Sequence, residues 1–276
     1  MTRGVIINRY GSAETRWRSA LEGWRVPPDI LERAPENPWR FPPSLFKTKA
    51  GQVHTISFSR ALEALPQGGS VLDVGCGGGA ASIPLSSRAG LLIGVDESSE
   101  MLESFAAAAL ENHVPHREIH GRWPDIAEKV PAADVVLCHH VFYNVPDLTR
   151  FVTALDSHAR RRVVVELTAA HPNVPLAPLW RRFHKLERPA GPTVEDAVEV
   201  LREAALSPRV ETWRRPPRVR DPQERAQTVA FIRRRLCLSW EFDEEIDRLL
   251  GSIEEVMPRD VATLWWDASP RNNASK

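Results

Sequence analysis

Apolar residues recur along this chain with two spacings, about 3.6 and about two residues, and the two spacings take turns in a regular order. Residues 12–24 place Trp17, Leu21 and Trp24 at i, i+4 and i+7, which predicts an amphipathic helix with a wide aromatic face. The stretch from Val26-Pro27-Pro28 to Trp39-Arg40-Phe41-Pro42-Pro43-Ser44-Leu45-Phe46 holds too many prolines for a central strand or a long helix. Its aromatics Trp39, Phe41 and Phe46 are equally out of place in a disordered linker. It is expected to wrap the core, either over a ligand cleft or as a passive surface layer. A helix is predicted over 51–65, a strand over 70–74, a helix from about Ala80 and a strand over 91–95. Then follow a helix over 98–110, a short strand at 117–120, a strand over 134–138, a helix over 147–155 and a strand over 162–167.

The pattern loosens at His171-Pro172-Asn173-Val174-Pro175, the start of an insertion that also holds Trp180. Thr193, with Asp196 three residues on, caps a helix whose apolar stripe is Val194, Ala197, Val198 and Leu201. Residues 209–213 read as a sixth strand. Asp221-Pro222 opens a helix to about Leu236, and Phe242, Ile246, Leu249, Leu250 and Ile253 mark another. Residues 261–266 close as a last strand, in which one face of the Trp265-Trp266 pair is core and the other needs a helix or a partner subunit to cover it. This alternation predicts an α/β fold: a doubly wound, seven-stranded, mostly parallel sheet with an N-terminal helical cap and helical insertions. The expected division is a cap over 1–57, a main domain over 58–268 with insertions at about 171–192 and 218–257, and a flexible tail over 269–276.

Composition narrows the function. A chain of 276 residues, 42% hydrophobic, buries a sizeable core and suits one domain with additions better than two full ones. Lys+Arg and Asp+Glu both number 36, so there is no long-range attraction for a polyanion, which argues against nucleic acid as the main substrate. Cys76, Cys138 and Cys237 lie far apart, a reduced pattern rather than a disulfide framework. No stretch approaches twenty apolar residues and Met1-Thr2-Arg3-Gly4 leads into no apolar run, so a cytoplasmic protein without membrane spans is expected.

The chemistry concentrates at Asp73-Val74-Gly75-Cys76-Gly77-Gly78-Gly79, directly after the apolar pair Val71-Leu72. Glycines alternating at a strand end let the backbone turn sharply and approach a ligand closely. About twenty residues on, the run Leu91-Leu92-Ile93-Gly94-Val95 ends in Asp96, an acid placed to take two ribose hydroxyls. Both features point to an adenosine-containing cofactor. Gly75 to Ala80 also fits the looser dinucleotide fingerprint, so a nicotinamide-dependent oxidoreductase is a competing class; Asp73, two residues before the first glycine, speaks against it.

With Asp73, Gly75, Gly77 and Gly79, then Asp96, Ser98, Met101 and Leu102, then the stretch from Ala133 to Asp147, the sequence resembles the class I S-adenosylmethionine-dependent methyltransferases over roughly residues 60–168. The resemblance implies a Rossmann-like methyltransferase fold whose last strand is antiparallel and inserted between strands five and six. It implies S-adenosyl-L-methionine as cofactor, with Gly75, Cys76, Gly77 and Gly79 under its methionine part and Asp73 at its ammonium. Asp96 would take the ribose hydroxyls, with Glu97, Met101 and Cys138 also lining the cofactor. One departure stands out: Gly121-Arg122-Trp123 occupies the place of a G-D-A motif whose acid bonds adenine. Arg122 cannot accept that bond, and Trp123 is either a stacking face for adenine or a core tryptophan.

Acceptor-side residues should sit at the carboxyl ends of strands four and five, which selects Cys138, His139, His140, Tyr143 and His171. The adjacent His139 and His140 should point to opposite sides. His139 is the expected general base and His140 the structural member; Tyr143 would orient the acceptor, and His171 would line the pocket. Pro115 interrupts the near-helical spacing of His113, His116 and His120, so no metal site is expected. The arginine clusters at 214–220 and 233–235 read as solvated faces, or else as contacts for an anionic substrate or an RNA backbone. The reading is thus methyl transfer to a small, partly apolar O- or N-acceptor under an aromatic cap. The alternatives are an RNA or protein methyltransferase and a non-catalytic S-adenosylmethionine-binding protein, and a homodimer is left open.

Overall fold

The computed structural model describes residues 11–39, 55–215, 222–256 and 260–268. Phe41, Phe46, Arg218, Arg220 and the tail from 269 lie outside them. Seven strands form one sheet in the order β3-β2-β1-β4-β5-β7-β6: β1 Gly69–Val74, β2 Ala89–Asp96, β3 His116–His120, β4 Ala133–His139, β5 Ala159–Thr168, β6 Arg209–Arg214 and β7 Asp260–Asp267. The first five pair in parallel, and β7 runs antiparallel between β5 and β6. The strand order reverses direction between β1 and β4, which places a ligand crevice at their carboxyl ends.

Side chains of β1, β4 and β5 alternate between two buried layers, as strands covered on both faces must. On one face Leu72, Val136, Cys138, Val163 and Val165 pack under α1 (Ala13–Glu22), α5 (Leu148–His158) and α7 (Val194–Glu203). On the other Val71, Val135, Leu137 and Val164 pack under α3 (Ile56–Ala64) and α4 (Ser99–Glu111). Trp265 and Trp266 split between these faces, Trp265 under the Arg60 guanidinium of α3 and Trp266 donating its indole N–H to Asp156 of α5 at 2.9 Å. The chain's own helices therefore cover both rings. α3 begins at Ile56, so the predicted boundary between residues 57 and 58 falls inside it.

A third apolar cluster lies beside the sheet. It joins Trp24 and Ile30, from the end of α1 and α2 (Pro28–Glu32), to α6 (Ala177–His184), α8 (Pro222–Arg235) and α9 (Asp243–Val256). Sequence-distant insertions thus share one helical lobe with the N-terminal segment. Trp180, expected as a cap aromatic, is buried in this lobe with the Arg188 guanidinium over its ring, whereas Trp39 is half exposed. No described helix is long and apolar enough to cross a membrane.

One predicted element is absent. The turn after Gly79 leads into a short 3-10 turn, Ile83–Leu85, rather than an α-helix from Ala80. Nine residues separate Gly79 from β2, and Pro84 supplies no backbone donor, so a full helix has neither the length nor the hydrogen bonds to form. The donors at the glycine loop are consequently those of the loop itself.

The aromatic face of α1 docks it onto the strand ends. Trp17 is fully buried, stacks on Tyr143 at 5.6 Å and donates its indole N–H to the Val145 carbonyl at 2.8 Å. Trp24 stacks on His171 at 4.7 Å and donates to the Gly191 carbonyl at 2.7 Å. Trp17→Ala is expected to lower unfolding stability by roughly 3–5 kcal/mol, the usual cost of emptying a buried aromatic site. Urea unfolding measures it; a loss below about 1 kcal/mol would mean that α1 is not docked in solution.

Candidate functional site

Gly75, Gly77 and Gly79 all adopt left-handed backbone angles, with φ of +71°, +50° and +82°. At Gly75 a Cβ would lie 2.5 Å from the Val141 side chain, and at Gly79 it would lie 2.7 Å from Ile83. Glycine is therefore required on two grounds, conformation and space. The loop is pinned to β2: the Gly75 and Cys76 amides donate to the Val95 carbonyl at 2.8 and 3.1 Å, and the Gly77 amide donates to Asp96 Oδ2 at 3.0 Å. Asp96 Oδ1 accepts from the Ser98 amide at 2.9 Å, and Ser98 caps α4. A carboxylate offers about four lone-pair positions, so two remain for ligand hydroxyls.

Asp73 lies beneath this loop, 1% exposed, and accepts the Ser82 hydroxyl at 2.6 Å. Burial, only partly offset by that bond and reinforced by the charge of Asp96, lifts its pKa to about 7. The acid expected at a ligand ammonium thus also ties the loop to the turn that follows it. Glu97 is exposed and Met101 half-buried at the start of α4.

Three expected cofactor contacts resolve differently. The Cys138 side chain is fully buried in the layer under α1, α5 and α7, and burial pushes its thiol well up, so it is core rather than lining. The Cys76 side chain packs inside the α3–α4 layer, leaving only its backbone at the loop. Trp123 is 6% exposed, its indole N–H turned to the Phe151 carbonyl at 3.4 Å and its ring edge-on to His158 at 4.8 Å. It is a core tryptophan, with no face open for stacking; Arg122 beside it is exposed.

On the acceptor side, the Tyr143 hydroxyl donates to the Thr168 carbonyl at 2.7 Å, and its ring packs between Trp17 and His171. His171 is 6% exposed, its Nδ1 accepting the Asn173 amide at 3.2 Å, and burial with the charge of Arg235 lowers its pKa to about 4. These two residues anchor the cap, with the Tyr143 hydroxyl and His171 Nδ1 already engaged. His139 is half-buried; its Nε2 is buried and makes no hydrogen bond among the described residues, and burial lowers its pKa to about 4.

His140 is placed differently. It takes a left-handed φ of +60°, its amide donates to the Glu166 carbonyl at 2.6 Å, and its ring Nε2 lies 3.1 Å from Glu166 Oε1. Glu166 lies two residues before the end of β5 with its side chain 6% exposed, and also receives Ser57 Oγ at 2.6 Å and Arg215 Nη2 at 2.9 Å. Burial alone would raise the Glu166 pKa, but the His140 bond, the two histidines' charge and the Ser57 bond hold it well below the usual carboxylate range. Neither Glu166 nor Ser57 was singled out in the sequence. A lone acid in the otherwise apolar Val163-Val164-Val165-Glu166-Leu167 strand was the available signal.

The described arginines of the two clusters are largely matched to acids: Arg214 to Asp260, Arg215 to Glu166, and Arg233 and Arg234 to Glu36. A cleft of about 500 Å³ opens on the helical lobe beside Pro27, Ile30, Phe183 and Leu186, and none of its residues comes from the glycine loop or the strand ends. Its charged groups are already satisfied, Arg33 by Asp29 and His184 by the Leu236 carbonyl.

Residues 71–161 match a family model described as a methyltransferase domain. A protein of Haemophilus influenzae with no assigned role is 33% identical over 104 residues, 37% of this chain and 38% of that protein. The ubiquinone biosynthesis O-methyltransferase of Vibrio atlanticus is 38% identical over 106 residues, 37% of this chain and 45% of that enzyme. The chain spans less than half the length of these curated relatives. Among solved structures, the YcgJ protein of Bacillus subtilis aligns with a TM-score of 0.52 at 18% identity, over 78% of this chain and 98% of that one, a likeness of fold.

Proposed function

We propose, from the membership of residues 71–161 in the class I S-adenosylmethionine-dependent methyltransferase family, that this protein transfers a methyl group to a small-molecule acceptor. The observation that carries the reading is the glycine loop, left-handed at three alternate positions and pinned to Asp96, whose carboxylate keeps two lone-pair positions open. The residues fit S-adenosyl-L-methionine, the cofactor of the family. The loop backbone at Gly75, Gly77 and Gly79 would hold its methionine part, and Asp96 its ribose. Asp73 would place a negative charge beneath the ammonium.

When bound, the cofactor supplies a methyl group already activated on a sulfonium. The chain's own task is to orient the acceptor, exclude water and accept a proton where the acceptor carries one. The Vibrio relative is by name an O-methyltransferase, which supports oxygen as the acceptor atom. The arginine–acid pairing weakens the case for an RNA substrate, because a guanidinium engaged by a carboxylate is not offered to phosphate. Isothermal titration tests the reading: S-adenosylhomocysteine is expected to bind and NAD to give no heat. An NAD response with none to S-adenosylhomocysteine overturns it.

A further inference from the structure

Resting on the methyltransferase reading, we infer that Arg215 and His140 form a donor pair that holds a carboxylate of the acceptor, with His140 serving as a neutral N–H donor and not as a base.

Topology brings the pair together at the ligand edge. β5 and β6 both run antiparallel to β7, and so run parallel to each other. Arg215, the residue after β6, therefore emerges at the same edge as His140, the residue after β4, and Glu166, near the end of β5. That edge carries the carboxyl ends of the parallel strands, where open α/β sheets bind ligands. Val141, next to His140, lies against Gly75 of the cofactor loop, so the pair borders the place where the methyl donor would sit.

Hydrogen counting fixes the state of His140. The guanidinium nitrogen Nη2 carries two hydrogens and cannot accept. Glu166 Oε1 takes one of them at 2.9 Å. His140 Nε2 meets the same Nη2, and more closely than it meets Oε1, from which it stands 3.1 Å away. The second hydrogen therefore goes to Nε2, which must offer its lone pair, and the proton of the neutral imidazole sits on Nδ1. The 3.1 Å separation is that of two acceptors sharing one donor group. A hydrogen bond from the His140 ring to Glu166 belongs to the protonated ring, whose charge depresses the Glu166 carboxyl and which would have to turn Arg215 away.

The groups left over are all donors. The Glu166 side chain is 6% exposed, with Ser57 on Oε2 and Arg215 on Oε1. By contrast, the side chains of His140 and Arg215 are each 40% exposed. His140 Nδ1–H and the N–H groups on Nε and Nη1 of Arg215 make no hydrogen bond among the described residues. One cation with unused donors and no exposed acceptor beside it suits a group with two acceptor oxygens, no proton and a negative charge, which is a carboxylate. Glu166 engages a single nitrogen of the three, so one small carboxylate can still be held, whereas an RNA backbone needs a row of free cations.

The surroundings keep the pair in this state. The His140 amide donates to the Glu166 carbonyl at 2.6 Å with φ at +60°, which fixes the backbone that carries the ring. His139 on β4 is held neutral chiefly by burial, its pKa lowered to about 4, so among the described residues of this cluster Arg215 supplies the positive charge.

The test uses the full chain. Titration with S-adenosylhomocysteine should give the same affinity for wild type, Arg215→Ala and His140→Ala. Loss of binding by the wild type refutes the methyltransferase reading itself, and a loss confined to the variants moves the pair to the cofactor and overturns the acceptor assignment. Imidazole ¹⁵N spectra of the S-adenosylhomocysteine complex at neutral pH should show His140 as the Nδ1–H tautomer, and Arg215→Ala should shift it toward Nε2–H. An Nε2–H tautomer in the wild type overturns the donor role. Benzoate is then titrated into the same complex, with benzamide as its uncharged counterpart. Benzoate should bind roughly tenfold or more tightly than benzamide, and its affinity should fall roughly 10–100-fold in Arg215→Ala and about tenfold in His140→Ala, the size of one charge-assisted hydrogen bond. Should Arg215→Ala fail to fold once Glu166 loses its cation, His140→Ala, which leaves that ion pair in place, decides alone. Equal affinity for the two probes, indifference of benzoate to the variants, or a preference for inorganic phosphate over benzoate overturns the carboxylate assignment.

Discussion

Asp96→Ala is expected to weaken S-adenosylhomocysteine binding by two to four orders of magnitude. Its carboxylate is read as accepting two ribose hydroxyls, and charge-assisted hydrogen bonds contribute roughly 1.5–3 kcal/mol each. Together that is about 3–6 kcal/mol, and each 1.4 kcal/mol is about a tenfold change in affinity. The substitution also strips the Gly77 and Ser98 amides of their acceptor, so the glycine loop loses its tie to β2 and the start of α4. Asp96→Asn should fall between, because an amide oxygen still accepts but the amide nitrogen opposes a backbone donor. Isothermal titration reads all three proteins. Unchanged affinity in the alanine variant would remove Asp96 from the ribose site.

Stability should fall steeply on acidification. His139 and His171 are held neutral, their pKa values lowered from 6.5 to about 4, burial being the main cause in both. For a depressed histidine the unfolded chain binds the extra proton, so the stabilisation is complete above pH 6.5 and is lost as pH falls toward 4. Asp73 works the other way: burial raises it from 3.8 to about 7, so the native state holds a proton that the unfolded chain releases across the same window. Two protons taken up against one released leave a net uptake of one on unfolding. That gives a slope of roughly 1.4 kcal/mol per pH unit, or about 3 kcal/mol between pH 6.5 and 4. Below about pH 4.5 the depressed Glu166 adds a further loss in the same direction. Urea unfolding at pH 7, 6, 5 and 4 measures the slope. Stability that rises steadily on going from pH 6.5 to 4 would contradict the buried neutral histidines.

Local signals carried the strands and the cofactor loop. Burial of β1, β2, β4 and β5 on both faces is written in continuous apolar runs such as Val163-Val164-Val165, and the left-handed turns at Gly75, Gly77 and Gly79 need only residues adjacent in sequence. The Thr193–Asp196 capping box formed as read, because a cap closes within one helical turn. The helix expected from Ala80 failed on an equally local ground, Pro84 in a connection of nine residues. By itself, then, the sequence determined the α/β class, the seven strands, the glycine loop and Asp96.

What the tertiary structure decided is which way each strand-end side chain faces and what meets it. Cys138 and Trp123 turn into the layer under α5, and Tyr143 and His171 are taken up by Trp17 and Trp24 of the N-terminal cap. The Glu166 carboxylate is held by Ser57, 109 residues away in sequence, and Ser57 in turn by Thr263, 206 residues from it. No periodicity or short motif encodes such a chain, because each hydrogen bond exists only once β5, β7 and α3 have packed together. A buried acid without those partners would not remain charged, so folding itself is what keeps Glu166 ionised in an otherwise apolar strand.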